Sequence, residues 1–237
     1  MNEDSAELIV LWFEELEFRL SEILKTTLYT DQNKDLFLPS LANIIVDTCS
    51  LIDTIFREEY RGTTSREVVN IQDNCLYFEP ILKLSRIKTV YLQYPLTYII
   101  PFENWYDDAT NEYKPVTWWQ SHNDIKHDRI REFQKATLNN AVLSVAALHQ
   151  VISQLETFKH ALLRHEYLYT GQYSLDGALH YGYDASEKLI KFLIETELFA
   201  TPVGAGGTKV FPDEVTKINP LSYGQGKKLW KYVGREF

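Results

Sequence analysis

Residues 116–170 read VTWWQSHNDIKHDRIREFQKATLNNAVLSVAALHQVISQLETFKHALLRHEYLYT. They hold no glycine and no proline, the longest such stretch in the chain. Thr117 followed by Gln120 has the spacing of a capping box, which satisfies the first free amides of a helix. Phe133, Ala141, Val145, Leu148, Ile152, Leu155, Phe158 and Leu162 then form one apolar stripe. The spacing predicts one long helix over Val116–Thr170, or two nearly collinear ones, of the kind found in bundles. The fold class that follows is mainly α, a helical bundle with a long central helix.

Working outward, the N-terminal side fits a bundle. Asp4 with Glu7 marks a helix start, and Ile9, Phe13, Leu16, Leu20 and Ile23 recur at steps of four and three, giving one buried face up to about Leu28. Glu14, Glu15, Glu17 and Arg19 fall on the face read as solvated. A second helix is expected from Ser40, after Pro39, to Gly62, with Leu41, Ile44, Ile45, Thr48, Leu51, Ile52, Ile55 and Phe56 inward. A shorter one from Ser65 is expected to break or kink at Pro80. Thr89–Pro101 is β-branched and aromatic and reads as extended, limited to an edge by Pro95 and Pro101. The segment from Glu103 to Lys114 reads as a surface loop. Beyond Tyr169 the glycines Gly171, Gly177 and Gly182 punctuate the chain. A further helix is expected at 186–198, with Leu189, Ile190, Leu193 and Ile194 buried, then a flexible loop at 201–207. The domain reading is a bundle over residues 1–166 and a small mixed C-terminal extension over 167–237.

Composition narrows the function classes. Of 237 residues 45% are hydrophobic and 24% charged, an ordinary globular balance. Thirty-three acidic against 24 basic residues leave a net charge of -9, which argues against a general nucleic-acid coat protein but leaves room for a local basic site. The two cysteines, Cys49 and Cys75, lie among apolar neighbours and read as reduced core residues. No Cys/His cluster has zinc-ligand spacing, so no metal and no cofactor are expected. The acidic start Met1–Ser5 is unlike a signal peptide, and no apolar run reaches the ~18 residues that span a bilayer, so no membrane partner and a cytoplasmic location are expected.

The chemically suggestive residues lie in the quoted stretch. In a single helix Asn123 and His127, four apart, share a face, and Arg131 extends that row by one turn, with Lys126 and Arg129 beside it. The site would sit near the positive end of the helix dipole. A neutral histidine can accept a hydroxyl proton, an amide can orient it, and lysine or arginine can offset phosphate charge. These are parts for cleaving RNA by attack of the ribose 2′-hydroxyl on its neighbouring phosphate. The bland alternative is a histidine that bonds a nearby loop, Trp118 and Trp119 as core anchors, and basic residues that balance Asp107, Asp108, Glu112, Asp124 and Asp128. Asp53 reads as a paired carboxylate at the rim of the second helix. Asp53 or Glu103 beside the histidine would be needed for an ordinary small-molecule enzyme.

Pro101-Phe102-Glu103-Asn104-Trp105, Trp118-Trp119, Asn123-Asp124-Ile125-Lys126-His127-Asp128-Arg129 and Ala136–Ala141 together resemble bacterial proteins of the HEPN superfamily, over roughly residues 95–155. The resemblance implies a helical bundle, often dimeric, and in many members a ribonuclease of phage-defence or toxin–antitoxin systems. It implies His127 as the catalytic histidine and Asn123 as the polar residue of the motif, with Lys126, Arg129, Arg131 and His122 toward phosphate, and RNA, a second copy or a protein partner as what the chain binds. The family motif carries an arginine four to six residues before the histidine. Here His122 stands nearest that position, and neither Ser121 nor Gln120 is arginine. Relatives lacking the full motif serve as binding modules, which is the alternative reading.

Overall fold

The computed structural model describes residues 1–61, 70–167 and 192–203, and everything below concerns those. The first two helices follow from their amphipathic patterns. Helix α1 (Glu3–Leu24) is capped by Asn2, whose side chain accepts from the Ser5 amide, rather than by Asp4. It ends four residues before the expected Leu28. Ile9, Phe13, Leu16 and Leu20 are buried as the spacing requires, but so is Glu17, which the same spacing had placed in water. Helix α2 (Pro39–Arg61) opens with proline at its first position, where the missing amide costs nothing. Its expected stop, Gly62, lies outside the described residues. α2 is the single described helix long and apolar enough by composition to cross a membrane, and over half of that window is buried in the protein.

Helix α3 (Ile71–Leu82) starts at Asn70, whose side chain accepts from the Gln72 and Asp73 amides. It runs through Pro80 and ends two residues later at Leu82, before left-handed Lys83, so the proline sits in the last turn instead of breaking the helix. Strands β1 (Thr89–Tyr91) and β2 (Thr97–Ile99) pair antiparallel, and Pro95 falls in their connection. β1 is therefore not confined to an edge. β3 (Tyr106–Asp107) and β4 (Glu112–Tyr113) form a small hairpin inside the segment read as a loop. Its turn is made by Asp107, whose carboxylate accepts from the Ala109 amide, and by Asn111 at φ 58°.

The long helix is not there. The stretch divides into α4 (Thr117–His127), α5 (Leu138–Gln154) and α6 (Lys159–Arg164), with single 3-10 turns before α5 and α6. Val116 starts α4 without a side-chain cap, so the Thr117–Gln120 box does not form. Asp128 leaves helical geometry (φ -144°, ψ 83°), and its carboxylate takes the Arg131 amide. Thr137 then restarts the chain as cap of α5, accepting from the Asn140 amide. Only Ile130 and Phe133 interrupt the polar run from Lys126 to Lys135, so a helix there would have no continuous face to bury.

α5 is the centre of the molecule. All its residues except Asn139 and Leu143 are buried, as expected of a helix enclosed on every side. α2 packs along it, α1 and α4 flank the pair, and α6 lies against α1. Cys49 and Cys75 are free and buried, as read from their apolar neighbours. An aromatic chain binds the helices together: Phe78, Phe56, Trp105, Phe102, Trp118 and Trp119 follow one another with ring centres 4.5–6.3 Å apart.

The last described segment corrects two further expectations. Phe192–Glu195 is strand β5 and Phe199–Val203 is strand β6, where a helix to 198 and a loop from 201 were expected. Residues 186–191 and 204–207 of those predictions lie outside the described residues. β6 pairs with β1 and β5, giving the sheet order β2-β1-β6-β5. Thr201 hydroxyl bonds both Thr89 (2.8 Å) and the buried His149 of α5 (2.9 Å). Ile194, Leu198 and Phe199 are thus built into the same core as the helices.

Candidate functional site

The suggestive residues gather where α4 ends and the chain turns toward α5. Asn123, Lys126 and His127 are all exposed, and the four-residue spacing does put Asn123 and His127 on one face. Among the described residues no hydrogen bond joins them. Arg129 is exposed and donates to Asn43 of α2 at 2.9 Å, a neutral partner that fixes the guanidinium without spending its charge. Arg131 does not extend the helical row, because the helix has already stopped. It lies in the following turn against Asp128, Nε to Oδ2 3.4 Å, with its side chain 85% exposed. Ile130 between the two arginines is 90% exposed.

The end of the helix matters for the electrostatics. His127 is the last residue of α4, so the site lies at the negative end of the dipole and not at the positive end expected from a longer helix. That end favours the cation Lys126 and gives no help to a bound anion. The neighbouring carboxylates are largely occupied: Lys135 reaches both Asp124 and Glu132 at 2.7 Å. Lys126 makes no ion pair among the described residues. The local surface therefore carries Lys126, Arg129 and the exposed end of Arg131 as cations available to a ligand, on a chain acidic overall.

His122 is placed apart from the others. It is 4% exposed, its ring stands edge-on to Trp119 at 5.2 Å, and neither ring nitrogen has a hydrogen-bond partner. Burial, with Lys126 and His127 nearby, pushes its pKa down to about 4, so it is held neutral in the core and does not face a phosphate. Ser121 is also turned inward, accepting from the Asn140 amide group at 2.8 Å. The turn of α4 on which the usual arginine would stand is therefore partly core.

Asp53 pairs with Arg57 at 2.7 Å, the reading taken from its spacing, and burial raises its pKa against the opposing charges of Arg57 and Lys126. Glu103 is remote from His127. It lines a cavity of about 580 Å³ with Lys88, Tyr98 and Thr117, at the opposite end of α4. With α4 rising about 1.5 Å per residue, the two sites stand on the order of 15 Å apart. No group of three or more His, Cys, Asp or Glu side chains suited to a metal ion occurs among the described residues.

Three titratable sites escaped the sequence reading. Glu17 accepts from the Thr196 hydroxyl and from the Leu198 amide (2.9 Å), and burial raises its pKa to about 7. Glu79, 1% exposed, accepts from Trp105 Nε1 at 2.7 Å and from the Ser85 amide and hydroxyl. His165 is held between Glu14 (2.6 Å) and Glu7 (2.9 Å); burial opposes its charged form, and those two carboxylates more than offset it and raise its pKa. Each joins segments far apart in the chain, which spacing along one helix cannot reveal. No family model, no curated protein and no solved structure matches the chain.

Proposed function

We propose that this chain is a HEPN-like protein directed at RNA, with the end of α4 as its contact surface and His127 as its proton carrier. The observation that carries the reading is the exposure of Asn123, Lys126, His127, Arg129 and Arg131 within nine residues, with two of the three cations lacking an ion pair among the described residues. Lys126, Arg129 and Arg131 contact phosphate oxygens, and Asn123 orients the histidine or an oxygen. His127 as the neutral imidazole takes the proton of a ribose 2′-hydroxyl while that oxygen attacks the adjacent phosphorus. The phosphorus bond to the 5′-oxygen breaks, and that oxygen leaves with a proton supplied by a second acid, for which His127 of a second copy is suited. The products are a cyclic phosphate and a 5′-hydroxyl end. The placement proposed is cytoplasmic, with a defence or toxin–antitoxin assembly as the setting.

A second reading has its own support. His122, nearest the usual arginine, is enclosed in the core, so the group that would stabilise phosphorane charge is not supplied from that turn. The surface would then bind RNA or a protein without cutting.

The two readings separate in one experiment. Purified protein is incubated with mixed RNAs in EDTA, beside His127→Ala and Lys126→Ala/Arg129→Ala, and both cleavage and RNA binding are followed. The nuclease reading expects cleavage that falls at least a hundredfold in His127→Ala, with binding retained. It expects binding at least tenfold weaker, with a shallower salt dependence, in the double variant. Binding without cleavage by wild type selects the module reading. Neither binding nor cleavage overturns RNA as the ligand.

A further inference from the structure

Helix α1 buries one face, and its opposite face is built as a second seam. Asp4, Leu8, Leu11, Glu15, Phe18 and Glu22 follow at steps of four and three, and all six are exposed. Leu8, Leu11 and Phe18 are 46%, 48% and 54% exposed, with Trp12 beside them at 49%. That spacing places them in one line along a helix about 33 Å long, the pattern used to receive a partner segment. Beside the line lies a groove of about 390 Å³ between α1 and α2, bounded by Trp12, Glu15, Arg19, Asp47 and Thr54. Arg19 is held by Asp47 at 3.0 Å, so Asp4 and Glu15 stand as the unneutralised charges along the seam.

The charges select the occupant. A second α1 laid antiparallel on the first would set Asp4 against Glu22 and Leu11 against Glu15, and a parallel one would set each acid against itself. Both place like charge or charge on apolar surface, which disfavours self-pairing. The fitting occupant is a basic segment with aromatic and aliphatic anchors. The chain itself has one: residues 227–237 read KKLWKYVGREF, with Lys227, Lys228, Lys231 and Arg235 among Leu229, Trp230, Tyr232, Val233 and Phe237. Twenty-three residues separate it from Val203 at the end of β6, a length that reaches at most about 80 Å, so reach does not limit it. Being on the same chain, it meets the groove at an effective concentration on the order of millimolar.

We infer that the α1–α2 groove is the docking site of the chain's own basic segment 227–237, with Trp12 as the central anchor and Asp4 and Glu15 as its charge partners. The surface residues involved are exposed, so their substitution leaves the core intact.

The test uses the full chain. Chymotryptic cleavage after Trp230 and Tyr232 is timed in wild type, in Trp12→Ala and in Lys227→Glu/Lys228→Glu/Lys231→Glu. Carbodiimide cross-links from Asp4 or Glu15 to Lys227, Lys228 or Lys231 are mapped at low protein concentration. Docking predicts cleavage at least tenfold faster in both variants than in wild type. It also predicts cross-links within the monomer species, and restored protection when the triple variant is combined with Asp4→Lys/Glu15→Lys. Equal cleavage rates in all chains, absence of the cross-link, or cross-links confined to a dimer species would each overturn the proposal, the last in favour of exchange between copies.

Discussion

Replacing Glu79 by alanine is expected to lower the unfolding free energy by about 3–5 kcal/mol, the loss expected when the shared acceptor of several hydrogen bonds is removed from the interior. The carboxylate is enclosed, and it receives the indole N–H of fully buried Trp105 at 2.7 Å and the Ser85 amide at 3.1 Å. Alanine leaves the buried indole N–H and the half-buried Ser85 amide without their acceptor, and each donor left unsatisfied away from water costs about 1–3 kcal/mol. Ser85→Ala removes only the hydroxyl bond and is expected to cost about 1 kcal/mol. Urea unfolding followed by tryptophan fluorescence measures both. A loss below about 1 kcal/mol in Glu79→Ala would show that the α3–Trp105 contact does not rest on this carboxylate.

The second large effect is a pH dependence carried by Glu17. Burial raises its pKa from the ordinary 4.5 to about 7 in the folded chain. A raised carboxyl binds its proton more tightly folded than unfolded, so its contribution is fully present below pH 4.5 and is lost as pH rises through about 7. The expected size of that loss is about 3 kcal/mol, from 1.36 kcal/mol per pH unit. Glu17→Gln keeps an oxygen for the Thr196 hydroxyl and the Leu198 amide but has no proton to lose. The stability difference between wild type and Glu17→Gln, measured in urea at pH 4.5 and pH 7.5, should therefore shift by about 3 kcal/mol in favour of the glutamine variant at the higher pH. An unchanged difference across that window would place the Glu17 titration outside it.

The parts of the molecule legible in the sequence were those whose pattern is local. The stripes of Ile9 to Leu20 and of Leu41 to Phe56 mark α1 and α2 because an apolar face on a helix repeats every three or four residues. Trp118 and Trp119 sit in the core, as their reading as anchors has it. The long helix failed because freedom from glycine and proline permits a helix without requiring one, and the bonds of Asp128 and Thr137 to nearby amides compete with it. Leu193 and Ile194 suit a helical face equally well, and their segment is a strand because it pairs with β6, which in turn pairs with β1, far away in the chain. At the site, the spacing of Asn123 and His127 held within α4. The reversed dipole and the turn at Arg131 follow from where α4 stops, which its own residues do not mark strongly, and the enclosure of His122 follows from packing beside Trp119. The second seam of α1 was readable, since Leu8, Leu11 and Phe18 repeat as regularly as the buried stripe beside them.

The sheet order sets a schedule for folding. Val90 pairs with Ala200 across roughly 110 intervening positions, and residues 192–203 follow every described helix in the chain. Contacts that close such long loops form late, because chain entropy must be surrendered before they return anything. During synthesis the helices and the β1–β2 hairpin emerge first, leaving one side of β1 without its partner until residues 192–203 appear. An unpaired strand edge of this kind is a template for misassembly. Heat or crowding that slows this last step should therefore show itself as aggregation of newly made chains, at conditions where the mature protein stands unharmed.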